Sequence, residues 1–141
     1  MMGPPIPRPS QTMLRLIWVG RFLPTKGLPL LLKALAALPV DVQWELKVLG
    51  TGPMWRPWRR LARRLGLDPR ITWMSWLSHP DTLQQYSWAD AMVITSLRDT
   101  SENVMLEALA AGVPVVCLDL QGAHDVITHE SGVKIPVTTP R

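Results

Sequence analysis

Ser101-Glu102-Asn103-Val104-Met105-Leu106-Glu107-Ala108-Leu109-Ala110-Ala111-Gly112-Val113-Pro114-Val115-Val116 reads as a loop, a helix with an acidic start and then a buried strand. Ser101 or Asn103 is suited to cap the helix, because a short side-chain oxygen satisfies backbone donors that have no partner there. Gly112 tolerates the left-handed backbone of a helix C-terminus, and Pro114 blocks continuation. Val115-Val116-Cys117-Leu118 is the uninterrupted apolar run of a strand covered on both faces. The start of such a helix offers unpaired N–H groups and a positive dipole end, which favour phosphate. Glu107 stands one turn behind that start, where its carboxylate can accept hydrogen bonds from sugar hydroxyls. An ordinary solvated Glu fits the stretch equally well.

Outward from this stretch, strands and helices alternate. Leu14 to Val19 forms a short strand, and residues 20–27 form the loop that leaves it. Leu28, Leu31, Leu32, Leu35 and Leu38 then recur at helical spacing. Residues 43–49 give a second strand, with Trp44, Leu46 and Val48 on one side, and run into the turn Gly50-Thr51-Gly52-Pro53. The helix over 54–65 carries Trp55, Trp58, Leu61, Ala62 and Leu65 in one stripe and Arg56, Arg59, Arg60, Arg63 and Arg64 elsewhere. An amphipathic helix of this kind can lie on a membrane surface. The reading preferred here packs the stripe on a sheet and leaves the arginines in solvent. Strands at 70–73, 91–94 and 132–135, with a helix over 81–88, complete the pattern.

Such alternation predicts an α/β fold: a single Rossmann-like domain with a parallel sheet of about six strands and helices on both faces. The loops after each strand, at Gly20, Gly50, Ser96 and Gly122, then gather at one edge, where such sheets bind ligands. Residues 1–12, with four prolines, read as an extended tail or linker, residues 13–136 as the folded unit and 137–141 as a second tail.

Composition narrows the classes. The 141 residues can bury a real core, and a hydrophobic fraction of 47% against 18% charged suits a globular chain. A net charge of +4 favours anionic partners without naming one. The lone Cys117 rules out an internal disulfide, and a reduced, cytoplasmic setting is the expectation. No run of apolar residues reaches the ~20 needed to span a bilayer. The histidines His79, His124 and His129 lack metal-ligand spacing, so no metal site is expected. Neither a Walker loop nor a GxGxxG fingerprint occurs. Arg21 and Lys26, five residues apart in one loop, form a fork and a point charge suited to a diphosphate, although isolated basic residues in a loop ordinarily face solvent. Gly50 and Gly52 admit close approach of a ligand or serve a tight turn.

Four blocks, taken together, resemble the C-terminal, donor-binding domain of retaining glycosyltransferases of family 4, which have the two-domain GT-B fold. They are Val19-Gly20-Arg21 with Lys26-Gly27; Gly50-Thr51-Gly52-Pro53; Trp88-Ala89-Asp90-Ala91 leading to Ser96; and residues 99–112 followed by Pro114-Val115-Val116 and Gly122. The resemblance implies a nucleotide-diphosphate sugar as donor and no metal cofactor. Arg21 and Lys26 match the pair on the diphosphate, and Glu107 matches the glutamate on the ribose hydroxyls. Gly20, Gly50 and Gly52 lie in the loops of the same edge. Residues 102–104 (Glu102, Asn103 and Val104) match the loop that approaches phosphates and sugar. The segment from Met74 to Leu77 matches the seat of the nucleobase. Asp99, eight residues before Glu107, stands where the family has the glutamate that contacts the transferred sugar, one methylene longer. Glu102 replaces a glycine beside the phosphates and adds bulk and negative charge.

Family members hold the acceptor on an N-terminal domain, whereas only residues 1–12 precede the first strand here. The expectation is therefore a donor-binding half, inactive or weakly active until a separate acceptor domain or self-association completes it. A non-enzymatic nucleotide or nucleotide-sugar binding module is the alternative. A peripheral membrane contact, at the inner membrane face, rests on the arginine helix alone. Nucleic-acid binding is disfavoured.

Overall fold

The computed structural model describes residues 13–75, 77–96, 102–118 and 132–135, with backbone alone at 79, 102, 103, 118 and 132–135. Six strands, β1 (Leu14–Val19), β2 (Trp44–Leu49), β3 (Ile71–Met74), β4 (Ala91–Ile94), β5 (Val115–Leu118) and β6 (Gly132–Ile135), form one sheet in the order β3-β2-β1-β4-β5-β6. Every pairing is parallel. Four helices connect them: α1 (Leu28–Ala36), α2 (Trp55–Arg64), α3 (His79–Trp88) and α4 (Glu102–Ala110).

The two faces bury different side chains, because alternate strand residues point to opposite sides. Leu16 and Trp18 of β1, with Trp44, Leu46 and Val48 of β2, face α1 and α2, which contribute Leu28, Leu32, Leu35, Trp58 and Ala62. Ile17, Val19, Leu49, Met92 and Ile94 face α3 and α4, which contribute Tyr86, Met105 and Ala108. The apolar stripe of α2 is thus core, as the preferred reading had it, with Trp58 at 2% exposure. Pro57 is tolerated in its first turn, where a missing N–H leaves no intrahelical bond unmade. Gly112 closes α4 at φ +79°, the left-handed turn foreseen from the sequence.

Several boundaries differ from the sequence reading: β2, α2 and β3 each start one residue later, α2 also ends one residue earlier, and α1 stops at Ala36, which leaves Leu38 exposed beyond it. α3 opens at His79 rather than 81, because the Ser78 hydroxyl accepts from the Asp81 N–H and Pro80 fits the first turn. Strand β3 runs one residue further, to Met74, held by its pairing with Leu49. The Ser101 cap lies outside the described residues, as do residues 1–12 and 136–141.

Candidate functional site

Chain order along the sheet reverses between β1 and β4: strands 2 and 3 lie on one side of β1, strands 4, 5 and 6 on the other. At such a switch point the loops leaving the two central strands diverge to opposite faces and open a crevice. The loop after β1 carries Gly20, Arg21 and, in a one-turn 3₁₀ segment (Pro24–Lys26), Lys26. The end of β4 runs into Thr95 and Ser96, both buried.

Thr95 joins these strand ends. Its hydroxyl accepts a hydrogen bond from the Trp18 indole N–H at 3.0 Å and donates to the Lys26 carbonyl at 2.6 Å. One hydroxyl therefore holds the Lys26 turn to β4, with a β1 indole orienting it. Gly27 then adopts φ 67° and starts α1, so the backbone reverses directly behind Lys26. Arg21 is exposed, and Lys26 is half-buried. Sequence reading passed over Thr95. A polar residue at the end of an apolar strand was the available signal, but its partners lie 69 and 77 residues away.

The β2 loop is laced to this turn. Gly20 N–H donates to Leu49, Phe22 N–H to Thr51, and Met54 N–H to the Phe22 carbonyl. A Cβ on Gly50 would stand 1.8 Å from the Gly20 carbonyl oxygen, and one on Gly52 would press on the Phe22 backbone at 2.7 Å. Both glycines also hold positive φ, 145° and 153°. Close approach is thus real at these positions, and here it is between loops. Gly50 N–H further donates to the carbonyl of Met74, which carries the order to the end of β3. Beside that end an open cavity of about 710 Å³ is lined by Met74, Ser75, Thr51, Trp73, Trp55 and Arg59, among others.

From the opposite face, α4 brings its N-terminus toward the same edge, since it follows β4 and precedes the parallel β5. Glu102, Asn103 and Val104 form its first turn, and Glu107, half-buried, follows one turn on. Behind them stands Tyr86 of α3, fully buried in the cluster that holds Met105 and Ala108. Its hydroxyl has no hydrogen-bond partner among the described residues. Burial first, and the Glu107 carboxylate second, push that hydroxyl up to about 12. Tyr86 is the second group that sequence reading missed, because a Tyr in an apolar helix stripe signals core. Leu77 packs half-buried against the same cluster. Asp99 lies outside the described residues, and for Glu102 and Asn103 only the backbone is described. Among the described residues no cluster of His, Cys, Asp or Glu could hold a metal ion.

A doubly wound parallel sheet, with a basic turn and a helix N-terminus meeting at its switch point, defines a Rossmann-like domain of the GT-B class. The family described as glycosyl transferases group 1 matches residues 14–141, and the chain belongs to that family. An uncharacterized glycosyltransferase of Methanocaldococcus jannaschii is 30% identical over 82% of this chain and 30% of its own length. The lipopolysaccharide outer core galactosyltransferase WaaB superposes with a TM-score of 0.79 at 26% identity, over 94% of this chain and 38% of its own. HepE of Anabaena, solved with UDP and glucose, shares the fold with a TM-score of 0.77 at 23% identity, over 90% of this chain and 36% of its own. The chain thus spans about a third of the length of these proteins.

Proposed function

We propose that this domain holds a nucleotide-diphosphate sugar across the β1/β4 crevice for transfer with retention of anomeric configuration. The observation that carries the reading is the Thr95 latch, which holds the turn bearing Lys26 beside the end of β4. Arg21 and Lys26 bind the diphosphate and stabilise the charge that develops on it as the sugar–oxygen bond breaks. The first turn of α4 adds backbone N–H groups and its dipole to the same anion. Glu107 accepts from the ribose hydroxyls. The base rests over the main chain between Met74 and Leu77, at the mouth of the cavity beside β3. Asp99 contacts the transferred sugar. Two side-chain cations and a helix start supply the countercharge that a metal provides elsewhere, so no metal takes part. The bond from the sugar's anomeric carbon to the β-phosphate oxygen breaks as the acceptor hydroxyl oxygen bonds to that carbon, and the hydroxyl proton passes to the departing diphosphate oxygen. That acceptor sits on a surface facing this edge, supplied by another domain or chain, without which turnover is weak or absent.

The name of WaaB points to saccharide acceptors of the lipopolysaccharide type. The test is a thermal-shift panel of UDP, GDP and ADP with their sugars, run with and without EDTA. Saturation a hundredfold above the dissociation constant adds about 2.7 kcal/mol of stability, a readily measured shift. One base should be selected, EDTA should change nothing, and Lys26→Ala should weaken the diphosphate by about tenfold or more while sparing the nucleoside. No shift with any nucleotide, or equal loss for diphosphate and nucleoside, overturns the assignment.

A further inference from the structure

Apart from Arg59, which lines the cavity beside β3, the arginine face of α2 is not used by the proposed donor site. Residues 55–70 carry Arg56, Arg59, Arg60, Arg63, Arg64 and Arg70 against the single Asp68. That excess of five exceeds the net +4 of the whole chain, so the remaining residues are close to neutral. Solvated helix faces ordinarily mix signs, because like charges three and four residues apart repel and opposite charges attract. Here 56/60, 59/63 and 60/64 are all like pairs, and Arg56 sits at the positive end of the helix dipole with no acidic residue in the first turn. Asp68 offers little relief. It lies 3.8 Å from Arg59 and 3.7 Å from Arg63, beyond hydrogen-bond reach. Among the described residues Arg56, Arg60 and Arg64 are exposed and have no carboxylate partner. A local arrangement that works against its own helix marks a surface selected for something other than stability.

We infer that this face docks peripherally on an anionic lipid bilayer. The ten residues of α2 form a straight row about 15 Å long, which suits a flat charged surface. No helix among the described residues is long and apolar enough to cross a membrane, and the exposed arginines make the proposed contact electrostatic. Nucleic acid is the poorer match, because single strands need open aromatic platforms. The indoles near this face are engaged with one another, Trp55 with Trp73 at 5.3 Å and Trp58 with Trp18 at 5.7 Å. α2 leaves the ligand edge of β2 directly through Pro53, so docking brings that edge close to the bilayer. The inference is independent of which donor is bound.

The experiment is co-sedimentation of the full chain with phosphatidylcholine vesicles, with and without phosphatidylglycerol, at low and high salt. The chain should bind only the phosphatidylglycerol vesicles and be released by salt. The triple variant Arg56→Gln/Arg60→Gln/Arg64→Gln should lower the partition coefficient by about a hundredfold, and the corresponding triple Glu variant by more. The Gln variant carries the test if the Glu variant fails to unfold cooperatively. Arg15→Gln, on the opposite face of the sheet, should change binding by less than about twofold. Several results overturn the inference: no binding to anionic vesicles, equal binding to neutral ones, full binding by a folded triple variant, or an equal loss for Arg15→Gln. Preferential capture by a single-stranded oligonucleotide that vesicles cannot displace overturns it too.

Discussion

The two faces of the sheet are built from different materials and do different work. On the α1/α2 face, Trp18, Phe22, Trp55, Trp58 and Trp73 touch ring to ring, with centroids 5.2 to 6.3 Å apart. Large rings leave little freedom, and this wall fixes the loops after β1, β2 and β3 against each other. The α3/α4 face is aliphatic, built of Ile17, Val19, Met92, Met105, Ala108 and Val113, and it buries the Tyr86 hydroxyl, which has no hydrogen-bond partner among the described residues. Tight aromatic packing thus positions the basic turn from behind, while the smoother face brings a helix start and Glu107 toward the same edge. Among the described residues the Tyr86 hydroxyl on this second face and Arg59 Nε on α2 are the two buried side-chain polar atoms without a hydrogen-bond partner.

The contrast can be broken most directly at Gly50. Gly50→Ala should cost about 4 kcal/mol or more, since its Cβ would collide with the Gly20 carbonyl, a backbone atom that cannot swing aside. Denaturant unfolding measures this, and a loss below about 1 kcal/mol would show the two loops free to separate. Trp58→Ala removes the ring shared by Trp18 and Phe22 and should cost about 3–5 kcal/mol. A mutant of the aliphatic face such as Met105→Ala should sit at the lower end of about 2–5 kcal/mol, because flexible neighbours collapse into the gap. Equal losses would remove the distinction between the faces.

Thr95→Val keeps the shape and deletes the hydroxyl, removing its bonds to the Trp18 N–H and the Lys26 carbonyl. About 2–3 kcal/mol of stability should go, together with affinity for nucleotide diphosphate in a titration. Loss of stability with affinity intact would make the latch purely structural. Tyr86→Phe should be the mildest change at neutral pH, within about 1 kcal/mol and of either sign, because the hydroxyl it removes has no partner among the described residues. Its signature is at high pH. The unfolded chain's Tyr ionises near 10, while the folded hydroxyl stays protonated until about 12. Between those values the folded state holds the extra proton, so stability falls as pH rises, by at most about 2–3 kcal/mol from this group. The Phe variant should flatten that decline in unfolding curves taken across the window.

Much of the fold was legible because its signals are local. Leucines at 28, 31, 32 and 35 recur at the helical period, and all four are buried. Alternation in β2 separates Trp44, Leu46 and Val48 from Glu45 and Lys47, and the former are buried. Along α2 the same periodicity placed Trp58 and Ala62 inward and the arginines outward. The candidate site was legible as a set of loops at one sheet edge, but the way those loops are tied together was not. Gly20, Arg21 and Lys26 could be placed on one loop from the strand before them. That the Lys26 carbonyl is held by Thr95 could not.

What the sequence determined by itself is therefore the succession of elements, the face each buries and the stop at Gly112-Val113-Pro114, since each depends on residues within one or two turns. What only the tertiary structure decided is the lacing of Thr95 to Lys26, the requirement for glycine at 50 and the approach of Tyr86 to Glu107. Those depend on register between strands and helices distant in sequence. A hydroxyl, a missing Cβ or a buried phenol acquires its role only from the atom placed opposite it.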